Sequence, residues 1–167
     1  MEETEMPWIT PVTYEEASED AKKFIAEREG ALKSEKCATL LKNAVVYDSV
    51  EKNGWRMDDE LQRLVGKRMG DLLEYVISTE NKSVVCSRYF TKCLADQGID
   101  IETTEFTEQE KLIIEYGKAI AHDVHSISDD LKNRLKAAFT EEQIVVITGM
   151  AVVITADNYF ETIMDLQ

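Results

Sequence analysis

The chain has 167 residues, 44% of them apolar and 31% charged, a balance that fits one globular domain and excludes a disordered chain. Nineteen Lys and Arg against 33 Asp and Glu leave a formal charge of −14. No basic cluster offsets it, so nucleic acid and anionic membrane are not expected partners.

The acidic start MEETEMPWITP lacks the apolar core of a signal peptide, and the expected location is the cytoplasm. Period 3.6 recurs along the chain and no stretch alternates cleanly with period 2, so the expected fold class is all-α. Tyr14, Ala17, Ala21, Phe24 and Ile25 predict a helix from Thr13 to about Glu29. Cys37, Leu40, Leu41, Ala44 and Val45 predict a second from about Ser34 to Val50. The NGW at Asn53 to Trp55 reads as a turn, with Asp58 capping a third helix. That helix carries Leu61, Leu64, Val65, Met69, Leu72, Leu73 and Val76 on one face and ends near Thr79, with Asp71 and Ser78 on its flank.

A fourth helix is expected from about Ser83 to Gln97, closed by Gly98. After the polar loop IDIETTEF, Thr107 and Glu110 form a capping box that opens a fifth helix, with Ile113, Tyr116, Gly117 and Ile120 on one side. Ser128 to Ala138 predicts a short sixth. Thr140 and Gln143 repeat the capping-box pattern before IVVITGMAVVITA. The β-branched run resembles a buried strand, but the cap and the continuation through NYFETIMDL favour a helix buried on nearly all sides. Its longest uncharged run, Gln143 to Ala156, is too short to span a bilayer. The expected architecture is a single-domain helical bundle over residues 1–167.

Three cysteines, Cys37, Cys86 and Cys93, make neither a disulfide framework nor a zinc pattern. On the fourth helix Cys86, Tyr89, Phe90, Cys93 and Leu94 share a face. Cys86 and Cys93 are roughly 10 Å apart along the axis, beyond the reach of about 7 Å that a disulfide allows. With Ser83 as N-cap, Cys86 is in the first turn, where free N–H groups and the helix dipole favour a thiolate. The competing reading is an inert cysteine buried against Tyr89 and Phe90. Cys37 and Cys93 are expected as core residues. His122 and His125 have chelating spacing without a third ligand, so no metal and no cofactor is expected.

The segments MPWITPVTYEEASEDAKKF, RMGDLLEYVISTENKSVVCSRYF and TEQEKLIIEYGKAIAHDVHSISDDLKNRLKAAFTEEQIVVITGMAVVITADNYFETIMDL together resemble the carboxymuconolactone decarboxylase family, and its alkylhydroperoxidase D-like members in particular. That resemblance implies a glutamate, a CxxC and a histidine relaying protons to a thiolate that attacks peroxide. By position the glutamate falls on Asp71, the two cysteines on Ser83 and Cys86, and the histidine on Phe90. Asn158 matches a common asparagine, and Tyr159 stands where an arginine often follows.

The site residues so implied are Cys86, Asp71 and Ser83. Ser83 supplies no second sulfur, Phe90 moves no proton, and Asp71 is one methylene short. The resemblance therefore implies a weak thiol-dependent peroxide reductase working through Cys86, with an external thiol reductant protein as partner and a homo-oligomeric assembly. Two alternatives stand beside it. One is a catalytically inactive member acting as an oligomeric binding or structural protein. The other is a lactone decarboxylase-type enzyme using Asp71 and polar neighbours for acid–base work.

Overall fold

The computed structural model of the protein describes residues 8–28 and 30–166. Among them every regular element is helical. The predicted end of the first helix at Glu29, and the acidic start, lie outside the described residues. Contacts divide the chain into two compact units. Arg56–Tyr159 forms one, and the described residues of Met1–Trp55 and Phe160–Gln167 form the other.

In the latter unit, α1 spans Glu19–Glu27 and starts later than Thr13 because Ser18 is its N-cap, its side chain accepting from Ala21 N. The predicted second helix is not continuous. A 3₁₀ turn at Ala31–Lys33 is followed by α2, Glu35–Leu40, and α3, Ala44–Tyr47. The break comes from Asn43, whose Oδ1 accepts from Val45 N and Val46 N and so restarts the helix. A π-helical segment, Asp48–Lys52, follows and runs into α4, Asn53–Val65. NGW is therefore helical rather than a turn, and Asp58 lies in the interior of α4 rather than at its cap. This unit's core gathers Ala21, Ala31, Cys37, Leu40, Leu41 and Tyr47, with Phe24, Trp55 and Phe160 packed against it.

In the Arg56–Tyr159 unit, the predicted third helix breaks at Gly66 between α4 and α5, Lys67–Glu80. Gly66 has φ 87° and ψ 150°, a conformation closed to residues with a Cβ. The second capping pattern also acts at this break, since Gln143 Nε2 donates to Leu64 O at 2.9 Å. Then come α6, Val84–Asp96, α7, Glu108–His122, α8, Asp129–Ala138, and α9, Glu141–Ile163. Both capping boxes form. Glu110 N donates to Thr107 Oγ1 and Thr107 N to Glu110 Oε2. Gln143 N donates to Thr140 Oγ1 and Thr140 N to Gln143 Oε1.

α5 packs against both α6 and α7. At Gly117 an added Cβ would meet Ile77, Leu73 and Val76 at 3.4 Å, so the missing side chain lets α7 approach α5 closely. The core joins Leu61, Leu73, Ile77, Phe90, Ile113, Tyr116, Leu135, Ile147 and Ile154. One expectation for the last helix is corrected. α9 is not apolar-buried on nearly all sides, because Val145, Val152 and Tyr159 are exposed. At 23 residues it is also long and apolar enough, by length and composition, to cross a bilayer.

Candidate functional site

Ser83 and Cys86 come together at the start of α6. Ser83 is the N-cap, and its Oγ accepts from Cys86 N at 3.1 Å. Cys86 thus occupies the third position of the helix, facing the positive end of the dipole. Both residues are buried, and Cys86 belongs to the same apolar cluster as Phe90. Tyr89, expected to bury Cys86, is largely exposed and meets Phe90 edge-on at 5.0 Å.

Asp71 is carried by α5 and is 2% exposed. Lys67, one turn earlier, donates Nζ to Asp71 Oδ2 at 2.8 Å, and Gln97 of the α6 C-cap donates Nε2 to the same oxygen at 2.5 Å. Gln97 also donates to Cys93 O at 2.9 Å, which ties Asp71 to the end of α6. The hydrogen bond to Asp71 holds the Lys67 ammonium above its ordinary range.

This arrangement changes the reading of Cys93. It is half-buried rather than a core residue. Burial pushes its thiol up, Tyr89 offsets this by a hydrogen bond, and the Asp71 carboxylate pushes it up further. The reason is geometric: on α6 the position one turn before Gln97 faces the polar end of α5 rather than the apolar cluster. Cys37, by contrast, is buried as expected.

Two carboxyl groups join Asp71 that sequence reasoning did not assign to a site. Glu74, one turn further along α5, is 2% exposed. Burial drives its carboxyl well above the usual range, and the charges of Asp58 and Asp71 drive it further. Asp58 of α4 is also pushed up, by burial first and by Asp71, while Gln62 counters with Nε2 bonds to both of its oxygens at 2.9 and 2.8 Å. The signal was present as Lys67, Asp71 and Glu74 at i, i+4 and i+7 on one helix. Asp58 carried no signal, because its approach depends on the turn at Gly66.

The other unit holds a second polar centre, on the π-helical segment. Glu51 is buried, and its Oε1 accepts from Arg28 Nη1 at 3.0 Å, Trp55 Nε1 at 3.1 Å and Cys37 Sγ at 3.2 Å. Lys36 Nζ lies 3.0 Å from Oε2. Burial alone would raise the Glu51 carboxyl, but Lys36 and these donors outweigh it and lower it. Arg28 stacks 3.7 Å over the Trp55 ring, so the cations are spent within the network. The centre is a structural knot.

His122 and His125 are both exposed. Among the described residues no group of three or more His, Cys, Asp or Glu side chains is arranged to hold a metal. Asn158 and Asp157, on α9, are buried. No protein-family model, no curated protein and no solved structure matches the chain.

Proposed function

We propose that the chain is an alkylhydroperoxidase D-like member of the carboxymuconolactone decarboxylase family that reduces peroxides weakly through Cys86. The observation that supports this reading is the Ser83 cap on Cys86, which keeps one sulfur in the first turn of α6 where the dipole favours its thiolate. Attack of Cys86 Sγ on the O–O bond transfers one oxygen to sulfur, giving a sulfenic acid and releasing the other oxygen as an alcohol or water after protonation. An external thiol then condenses with the sulfenic acid, losing water, and a second thiol releases Cys86 with formation of the reductant's disulfide. With Ser83 in place of a second cysteine, no resolving sulfur is adjacent. Burial beside Phe90 slows access, so turnover is low. The reading includes one domain over residues 1–167, a cytoplasmic location, a thiol reductant as partner and a homo-oligomer.

The test is peroxide consumption with a dithiol reductant. The parent should turn over slowly, Cys86→Ala not at all, and Ser83→Cys with Phe90→His well above the parent. Activity that persists in Cys86→Ala would remove the proposal.

A specific observation favours one second reading. Two further carboxyls, Asp58 and Glu74, are both pushed up, by burial first and then by the charge of Asp71. Paired groups of that kind suit acid–base chemistry. Turnover on a lactone acid that survives Cys86→Ala and fails in Asp71→Asn would support it.

A further inference from the structure

One side of α9 packs Ile147, Met150, Ala151 and Ile154 into the core, while the other carries Val145, Val152 and Tyr159, which are 71%, 62% and 55% exposed. The half-buried Gly149 and the exposed Ala156 lie between these three. Steps from Val145 to Gly149, Val152, Ala156 and Tyr159 are four, three, four and three residues. A mean step of about 3.5 residues is the repeat of a helix that packs lengthwise on another helix. Hydroxyl groups do not interrupt this seam. Thr148 Oγ1 donates to Ile144 O and Thr155 Oγ1 to Ala151 O, both at 2.7 Å, so neither proton needs a partner across it.

Charge and size select the occupant. From Gln143 to Ala156 there is no charged residue, although the chain carries −14 overall, so two copies can meet here without facing like charges. α9 also has no Lys or Arg, the residues that hold an amphipathic helix on an anionic lipid surface. Large and small side chains alternate along the seam, and each large one has a small counterpart at which a second helix can approach. At Gly149 an added Cβ would lie 2.9 Å from Met57 Cε, so the Met57 methyl floors the gap that the missing side chain leaves. Val152 and Ala156 are equally far on either side of Ile154, and so are Gly149 and Tyr159. One two-fold axis at the level of Ile154 therefore sets Val152 on Ala156 and Tyr159 on Gly149 at once. That axis runs the helices antiparallel. The exposed Glu141 of the two copies would then be roughly 40 Å apart along the axis, far beyond a screening length of about 8 Å. Parallel pairing would set them side by side.

We propose that the Val145–Tyr159 stretch of α9 is the self-association surface of this chain. It pairs antiparallel with α9 of a second copy, so that Val152 seats on the partner's Ala156 and Tyr159 on the partner's Gly149 and Met57. The pairing gives a surface to the homo-oligomer of the proposed reading. It stands apart from the chemistry at Cys86, which the peroxide assay tests by itself.

The experiment is sedimentation of the full chain at micromolar concentration, with isotope-filtered NMR on a mixture of labelled and unlabelled copies. The parent should sediment as a dimer that tightens with added salt, because salt screens the repulsion between acidic copies. The NMR should show contacts between copies from Val152 to Ala156 and from Tyr159 to the Met57 methyl. Ala156→Leu is the discriminating variant. It adds apolar surface but fills the gap that Val152 needs, so the dimer should weaken at least about tenfold. Should Ala156→Leu not fold, the contacts between parent copies decide. A monomeric parent would overturn the pairing, whether it stays in solution or floats with neutral or anionic vesicles. A tighter dimer in Ala156→Leu would overturn it too, as would contacts between copies that join Val145 to Val145 or that lie wholly outside α9.

Discussion

Glu51 draws three different donors onto one oxygen, and removing its charge leaves Lys36 and Arg28 without their common partner. Breaking a buried pair from one side is costly, and Glu51→Gln should lower stability by about 3 kcal/mol in denaturant unfolding. The pH dependence follows from the lowered carboxyl. Its stabilisation is complete above the unfolded-state range and is lost as pH falls through the lower folded value. The gap between parent and Glu51→Gln should therefore narrow on acidification, and a gap that stays constant would contradict the assignment. The cysteines differ in the same residue-by-residue way. Timed alkylation of the native protein, read by mass spectrometry, should mark the half-buried Cys93 first, with Cys37 reacting only on unfolding. Rapid labelling of Cys37 would show that its cluster opens. Cys93 should react sluggishly near neutral pH and faster in alkali, since burial and Asp71 both raise its thiol.

Helix boundaries divide into those set by local chemistry and those set by the backbone. Ser83, Thr107 and Thr140 were legible as caps because a hydroxyl at the N-cap can satisfy a free N–H without help from the rest of the fold. Thr107→Ala should cost about 1 kcal/mol by loss of that bond, measured as a shift in the denaturant midpoint. The break at Gly66 was not legible, since the apolar stripe from Leu61 to Val76 continues across it. Gly66→Ala should cost about 1–3 kcal/mol, because alanine is strained at φ 87°. A neutral outcome would mean that the α4–α5 junction can rearrange. The interruption at Asn43 was likewise hidden, because Ala44 and Val45 continue the stripe of Leu40 and Leu41.

For the whole molecule, the exposed Val145, Val152 and Tyr159 lie seven residues apart along α9, a spacing that lines one side of a helix. With a formal charge of −14, an anionic bilayer is an unfavourable cover for that side, and a second copy of the chain is the cover proposed here. Sedimentation at micromolar concentration should show a stable assembly, and Val145→Glu with Val152→Glu should dissociate it while leaving the helical circular dichroism unchanged. A parent that sediments as a monomer would refute the self-association. The predicted single bundle and the two compact units reflect different information. Periodicity reports which side of each helix is apolar, whereas the grouping of helices depends on which apolar sides meet.

By itself the sequence determined the helical class, three hydroxyl caps and the burial of Cys37, because each follows from hydrogen bonds and spacing within a few residues. It also determined that Ser83 caps the helix of Cys86. Only the tertiary structure decided that the charges of Asp58 and Asp71 act on the buried Glu74, that Asp71 is bonded to Gln97, and that Glu51 gathers Arg28, Lys36, Cys37 and Trp55. Those meetings join residues from different helices, and their electrostatics depend on burial and distance, which no local pattern of residue types encodes.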